Sequence, residues 1–306
     1  MSPDVSPGEI VGVNWGSSNF RAYRIAGDGS SIDEYSEAAG IAQLDRAGMA
    51  AMLAKLAARW PGETPVYASG MVGSNIGWTE VAYAEAPAGR VELAQAGAES
   101  EIGGVGVRIV PGIACRRQFD GAPDILRGEE IELLGLIALG HTGGLAALPG
   151  THTKWVRLDQ GRIVDFFTTM SGEMFDRLTG RGLLASIVEG EAADGEAFLE
   201  GVATGQARRL GLGTLLFGAR ARVIRGALSR ADAASYIRGL LIGSEISDAL
   251  AAYPGLAQAE VPLIGSGPLS RLYASALARN GIASRFIDSR DACLRGFRAL
   301  HDARHG

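Results

Sequence analysis

The chain is poor in the side chains most used for redox, point-charge and metal chemistry: 306 residues hold two cysteines, two lysines and four histidines. Cys115 and Cys293 cannot build a disulfide framework, and reduced thiols in a cytoplasmic protein are the expected state. The histidines are His141, His152, His301 and His305. The last two stand four apart, but in a polar, Arg-rich tail without a further ligand nearby, so no metal pair is expected there. No run of 18 apolar residues exists, which excludes a long apolar membrane span. The opening Met1 to Glu9 is short, polar and carries two prolines, so it reads as a loose tail rather than a signal peptide. The string GxxxxGK[ST] is missing, which excludes a P-loop as a phosphate site. There is no excess of positive charge. The formal net charge of −5 argues against a general nucleic-acid binder, which needs a basic face.

What the chain does have is apolar residues, 47% of the total, and enough length for about two domains. Two glycine–hydroxyl hairpins organise it. The first runs from Ile10 to Trp15, turns through Gly16-Ser17-Ser18-Asn19, returns over Phe20 to Ile25 and closes at Gly27-Asp28-Gly29. The second runs from Leu145 to Leu148, turns through Pro149-Gly150-Thr151-His152, returns over Thr153 to Leu158 and closes at Asp159-Gln160-Gly161. Each offers backbone N–H groups, small hydroxyls and a nearby cation to one anionic object. Taken alone, the first hairpin is equally an ordinary structural one. The pair points to two half-sites that clamp a polyphosphate.

Apolar spacing predicts a helix over Gly48 to Trp60, a short buried strand at Val66 to Ala68, a strand over Val105 to Val110 and a helix over Glu129 to Ala138. Each hairpin continues into a third strand, at Ser31 to Ala38 and at Ile163 to Thr168. Helices interrupted by glycine clusters fill most of Ser186 to Ala251. A strand at Pro262 to Ile264 leads into Gly265-Ser266-Gly267, a helix from about Leu269, an edge strand at Phe286-Ile287 and a closing helix over Asp291 to Ala303. Strands mixed with helices make an α/β protein, and the repeated strand–loop–strand–turn–strand unit makes two related domains.

Three motifs carry candidate chemistry. Lys154 is one of the two lysines and sits beside the second loop, where a compact ammonium suits a phosphate; the plainer alternative is a solvated strand residue. Gly265-Ser266-Gly267, between a strand and a helix, lets a nucleotide approach the backbone closely, or is simply a tight turn. Arg127-Gly128-Glu129-Glu130 places carboxylates at a helix start. The macrodipole alone favours acidic residues there. The sharper reading is a general base for an alcohol, which a kinase of hydroxyl groups needs.

The chain resembles the 2-dehydro-3-deoxygalactonokinases from about Val11 to Ala299. The segments that carry the resemblance are Asn14-Trp-Gly-Ser-Ser-Asn-Phe-Arg-Ala22, Ala68-Ser-Gly-Met-Val-Gly-Ser-Asn-Ile-Gly-Trp78, Val110-Pro-Gly112, Leu126-Arg-Gly-Glu-Glu130, Leu148-Pro-Gly-Thr-His-Thr-Lys-Trp-Val156 and Arg238-Gly-Leu-Leu-Ile-Gly-Ser-Glu245. The strings around Gly70–Trp78 and Pro149–Val156 are long and unusual. The resemblance implies two ribonuclease-H-like domains of the actin-like ATPase and sugar kinase group, with ATP in a cleft between them. The expected division is residues 1–140, with 290–306 packing back, against 141–289.

It also implies roles. Asn14, Gly16, Ser17 and Ser18 would form the first phosphate loop, Gly150, Thr151, His152, Thr153 and Lys154 the second, and Gly265, Ser266 and Gly267 the adenosine loop. Glu129 would be the base, with Glu130 the neighbouring alternative and Arg127 beside the transferred phosphoryl. Ser69, Gly70, Met71, Gly73, Ser74, Asn75 and Trp78 would line the sugar-acid pocket. Arg21 or Arg127 would read the substrate carboxylate, since a planar donor fork selects it. One position departs from the pattern: the family's first loop begins with Asp, here Asn14. Asn keeps an acceptor oxygen but loses the charge that helps hold the Mg²⁺ of Mg-ATP through water. The implied reaction is ATP-dependent phosphorylation of 2-dehydro-3-deoxy-D-galactonate at its 6-hydroxyl, in galactonate catabolism. The partner is a small sugar acid, neither nucleic acid nor membrane. A homodimer is compatible, and the sequence leaves the oligomeric state open. The alternatives are another sugar or sugar-acid kinase of this fold, or a non-catalytic sugar-acid or nucleotide sensor marked by Asn14.

Overall fold

The computed structural model describes residues 8–207 and 209–305. The chain divides into two compact units, Met1–Gly143 with Arg157–Phe166 and Ser289–Gly306, and Gly144–Val156 with Phe167–Asp288.

The first unit opens with β1 (Ile10–Trp15), β2 (Phe20–Ile25), β3 (Ser31–Glu37), α1 (Arg46–Arg59) and β4 (Val66–Gly70). It continues with β5 (Ala84–Glu85), α2 (Arg90–Ala96), β6 (Ala98–Ile102), β7 (Val105–Ile109), β8 (Ile113–Arg116), β9 (Pro123–Leu126) and α3 (Glu129–Ala138). Its main sheet runs β3-β2-β1-β4-β7-β6. The first three strands are antiparallel, β4 and β7 join parallel, and β6 closes the edge antiparallel. β5, β8 and β9 make a separate small sheet.

The second unit holds β10 (Gly144–Leu148), the start of β11 (Thr153–Asp159), the end of β12 (Arg162–Thr169), α4 (Ser171–Gly180), α5 (Glu196–Gln206), α6 (Leu212–Ile224) and α7 (Arg230–Ala252), the remaining Arg157–Phe166 of those two strands counting with the first unit. It ends with β13 (Glu260–Gly265), α8 (Gly267–Ala278) and β14 (Ala283–Asp288), before α9 (Ser289–His305) returns to the first unit. The sheet order is β12-β11-β10-β13-β14, with β13 parallel to β10 and β14 parallel to β13. Leaving aside β6, both sheets run third-second-first-fourth-fifth. This is the ribonuclease-H-like order, and the chain is an α/β protein of the actin-like ATPase kind.

Strand alternation decides what each face buries. In the first unit Val11, Val13, Trp15, Phe20, Ala22 and Ala68 pack on Met49, Met52, Leu53 and Leu56 of α1. The other face takes α9, where a Cβ on Gly12 would lie 2.3 Å from the Phe297 ring. Helices α3 and α9 approach through a reciprocal pair. A Cβ on Gly135 would fall 1.9 Å from the Ala292 carbonyl oxygen, and one on Gly296 1.9 Å from that of Ile131. In the second unit Leu145, Ala147, Trp155, Phe167 and Leu263 form a core with Phe198 and Val202 of α5, Ile242 and Ile246 of α7, and Leu272 and Tyr273 of α8.

The predicted elements are present with ends moved by a few residues, and Glu129–Ala138 keeps its predicted ends. Sequence pattern did not reveal β5, α2, β6, β8, β9 or α4. Of the motif Ser69 to Trp78, Ser69 and Gly70 finish β4, and Met71–Gly73 is a single 3₁₀ turn.

Candidate active site

Three segments of the first unit converge on the end of β4. Gly70 has φ +92°, and a Cβ there would lie 2.6 Å from the Trp15 carbonyl oxygen. Gly128, at φ +111°, would place its Cβ 3.4 Å from the Gly70 Cα. The positive φ favours glycine at both positions, and at Gly70 the close approach requires it as well. The first glycine loop, the Gly70–Gly77 loop and the start of α3 therefore meet at one place.

The first loop is braced from its own side. The Gly16 N–H donates to the Asn19 carbonyl at 2.9 Å, and the N–H groups of Ile41 and Ala42 donate to the carbonyls of Gly16 and Ser17. Ser17, Ser18 and Asn19 are left exposed. Asn14 is half-buried, and its Nδ2 donates to Cys293 Sγ on α9 at 3.7 Å. Burial pushes the Cys293 thiol well up, so this sulfur stays protonated. Arg21 is exposed and stands opposite Asn14 in the β1–β2 register.

The Gly70–Gly77 loop folds on itself. Ser74 Oγ donates to the Met71 carbonyl at 2.7 Å, and a Cβ on Gly77 would meet that same oxygen at 2.2 Å. Gly73 is buried against Arg127 and Ile109. Trp78 carries the Arg46 guanidinium 3.9 Å from its ring centroid, and Arg46 donates to the Trp78 carbonyl. These contacts correct one expectation. Gly73 and the Ser74 hydroxyl shape the loop from inside rather than lining a pocket, and the residues the loop exposes are Asn75 and Ile76. Ser69 Oγ is buried without a hydrogen-bond partner.

The start of α3 has no side-chain N-cap, and its carboxylates turn back to serve the preceding backbone. Glu129 Oε2 accepts from the Arg127 N–H at 3.0 Å, and Glu130 Oε2 accepts from the Gly128 N–H at 2.5 Å. The two differ in burial: Glu129 is partly exposed and Glu130 is 0% exposed. Burial, and then the Glu129 charge, push Glu130 up to about 8. A sealed carboxyl cannot meet a substrate hydroxyl, so Glu130 is corrected from alternative base to interior residue. Arg127 Nη2 donates to the Val81 carbonyl at 2.7 Å, and its guanidinium lies 4.2 Å from the Tyr83 ring centroid. Its Nε and Nη1 are buried without partners.

In the second unit the loop Pro149–His152 rests on the start of α4. A Cβ on Gly172 would lie 2.2 Å from the Gly150 carbonyl oxygen, and the Glu173 N–H donates to the Thr151 carbonyl at 2.9 Å. Thr151 and His152 are exposed. His152 Nε2 lies 2.7 Å from Glu173 Oε2, and this contact is the first cause holding the Glu173 carboxyl below its ordinary range. Lys154 is buried, not solvated, and its Nζ donates to the His152 carbonyl at 3.2 Å. Thr153 needs a correction: it is 0% exposed, and its hydroxyl points inward to Tyr273 at 2.9 Å instead of toward a phosphate. Gly265 stands beside the loop, where a Cβ would lie 3.2 Å from the Pro149 carbonyl oxygen, and Ser266 takes the N-cap position of α8 without a side-chain capping bond.

Sequence reasoning missed Tyr83, Glu173, Cys293, Tyr273 and the buried Glu245. The last had a visible signal, a lone carboxylate inside the small and apolar run Gly239–Ile246. Among the described residues no group of three or more His, Cys, Asp or Glu side chains could hold a metal ion. No helix among them is long and apolar enough to cross a membrane.

The family model for 2-keto-3-deoxy-galactonokinase matches residues 14–300. A protein of Rhizobium meliloti named as a probable 2-dehydro-3-deoxygalactonokinase is 37% identical over 300 residues, covering 95% of this chain and 96% of the relative. The 2-dehydro-3-deoxygalactonokinase of Escherichia coli is 35% identical over 238 residues, 78% of this chain and 79% of the relative. The crystal structure of a candidate 2-dehydro-3-deoxygalactonokinase from Sinorhizobium meliloti superposes with a TM-score of 0.87 at 34% identity, covering 96% of this chain and 97% of that one.

Proposed function

The chain belongs to the 2-keto-3-deoxy-galactonokinase family, and from that premise we propose that it transfers the γ-phosphoryl of ATP to the 6-hydroxyl of 2-dehydro-3-deoxy-D-galactonate. The observation that carries this reading is the convergence at Gly70. It sets a glycine–hydroxyl loop, a folded polar loop and a partly exposed carboxylate side by side.

Glu129 accepts the proton of the attacking hydroxyl. Its Oε2 accepts from the Arg127 N–H, which orients the carboxylate. Gly16, Ser17 and Ser18 in the first loop, and Gly150, Thr151 and His152 in the second, steady the phosphates through N–H groups and short polar side chains. Lys154 adds positive charge beneath the second loop while fixing the His152 carbonyl. Gly265, Ser266 and Gly267 receive the adenosine. Asn75 and the loop around it face the sugar acid, and Arg21 or Arg127 pairs with its carboxylate. Magnesium enters with the nucleotide as part of the Mg-ATP substrate. With Asn14 bonded to Cys293 and lacking charge, the metal would be held mainly through the phosphates.

The test is a coupled ADP assay over a panel of keto-deoxy sugar acids. Mg-dependent ADP release with the galactonate-derived acid is expected. A protein that binds ATP yet phosphorylates none of the panel is a sensor, the second reading that Asn14 favours.

A further inference from the structure

Glu245 lies on α7 at 3% exposure and receives hydrogen bonds from four side chains. Its Oε1 accepts from Trp155 Nε1 at 2.8 Å and from the Tyr273 hydroxyl at 3.0 Å. Its Oε2 accepts from Thr169 Oγ1 at 2.6 Å, from Ser171 Oγ, and from the same tyrosine at 3.0 Å. Burial pushes the Glu245 carboxyl up, and the donors from Ser171, Thr169, Trp155 and Tyr273 pull it back. A shell made wholly of donors suits a carboxylate, which only accepts.

The shell has a direction. Tyr273 has one hydroxyl proton, and the carboxylate takes it. The contact of 2.9 Å with Thr153 therefore requires Thr153 Oγ1 to donate to the tyrosine oxygen. With its own proton committed, Thr153 Oγ1 is an acceptor toward Gly150, whose N–H reaches it at 3.3 Å. Gly150 N–H, Thr153 O–H, Tyr273 O–H and Glu245 form a chain of hydrogen bonds from loop to core. On its other side Glu245 holds Ser171, the first residue of α4, and α4 carries the Gly172 on which the loop rests.

A carboxyl buried this deeply carries a desolvation cost that a packed apolar side chain of the same volume does not. What it supplies is orientation, because every member of a satisfied network is fixed by its neighbours. We propose that Glu245 is a positioning residue for the phosphoryl donor: through Tyr273 and Thr153 it sets the second glycine loop, and through Ser171 the helix beneath it. The inference rests on the reading of Pro149–His152 as an ATP phosphate loop.

The test uses Tyr273→Phe, Thr153→Val, their double variant and Glu245→Gln in the whole enzyme, with KM measured for ATP and for the sugar acid. Each single substitution is expected to raise the ATP KM roughly three- to tenfold, the equivalent of one net hydrogen bond. The sugar-acid KM stays at its wild-type value. The double variant is no worse than the weaker single, since a chain broken once is already broken. Amide exchange over residues 150–152 speeds up in Thr153→Val, the least disruptive change. An active wild type whose Tyr273→Phe and Thr153→Val variants keep the ATP KM and the loop exchange rate, whatever their thermal midpoints, overturns the inference. A wild type without ATP-dependent phosphorylation overturns the phosphate-loop reading and the inference with it.

Discussion

Glu130→Gln tests whether the interior carboxyl at the start of α3 is a concealed charge. In the unfolded chain this group titrates near its ordinary value of 4.5, and in the folded protein near 8. Desolvation is the largest cause and the Glu129 charge adds to it, while hydrogen bonds from the Gly128 region and the Arg127 charge oppose it. Below the unfolded value both states hold the proton, and the contribution to stability is fully present. As pH rises toward 8, the unfolded chain releases its proton and the folded protein keeps it. The unfolded state then binds fewer protons, and stability falls by about 1.4 kcal/mol per pH unit. Across the window the loss is on the order of 3–5 kcal/mol, a large part of a domain's total. Glutamine keeps an acceptor for the Gly128 N–H and removes the titration, although its buried NH₂ costs about 1–3 kcal/mol at every pH. The variant should therefore be less stable than wild type at pH 5 and should overtake it as pH approaches 8. Urea midpoints at pH 5, 6, 7 and 8, compared at equal m-value, measure this. Two curves that stay parallel from pH 5 to 8 would refute a buried, protonated Glu130.

Glu129→Gln should lower kcat by roughly 10²–10⁴-fold with little change in ATP affinity, as expected for loss of a general base, and Glu130→Gln should be milder; equal small losses place the base elsewhere. Asn14→Asp should move half-saturation by Mg²⁺ downward, and because Asp cannot donate to Cys293 Sγ it should also lower the thermal midpoint; an unchanged magnesium titration removes this position from metal handling. Arg21→Lys should raise KM for the sugar acid with KM for ATP nearly constant, the signature of lost substrate binding. Arg127→Lys should act mainly on kcat, with a stability cost from the lost Tyr83 stacking. If neither change moves the sugar-acid KM, the carboxylate is held by other groups, the backbone of the Gly70–Gly77 loop foremost.

The repeating skeleton was legible because its signals are local. Val11, Val13 and Trp15 alternate with Gly12 and Asn14, and glycine pairs mark the turns, so a period of two and a loop can be read without knowing any neighbour. Helix α3 was legible for the same reason, a run of acids followed by apolar residues. The shortest missed elements have no such signal. β5 is two residues long and pairs with β8 across α2, β6 and β7, and β8 and β9 are four residues each. A strand that short is defined by its hydrogen-bonded neighbour and not by its own composition.

The site shows the same limit at the scale of single side chains. Thr151 and Thr153 both read as loop hydroxyls, but β11 begins at Thr153, and the strand's first residue turns inward while Thr151 stays exposed. One residue of uncertainty at a strand start thus moves a hydroxyl from a ligand to the core. Glu129 and Glu130 differ in the same way. Neighbours on a helix point about 100° apart, so the two can differ in burial, and Glu130 is sealed while Glu129 stays partly exposed. Which one faces outward depends on where α3 meets α9, set by the reciprocal approach of Gly135 and Gly296. Glu130 stands one residue before Ile131, whose carbonyl oxygen Gly296 approaches, and it is the carboxylate that is sealed. The sealing of Glu130 beside a partly exposed Glu129 thus goes with two glycines in the helix interface, neither of which bears any chemistry of its own.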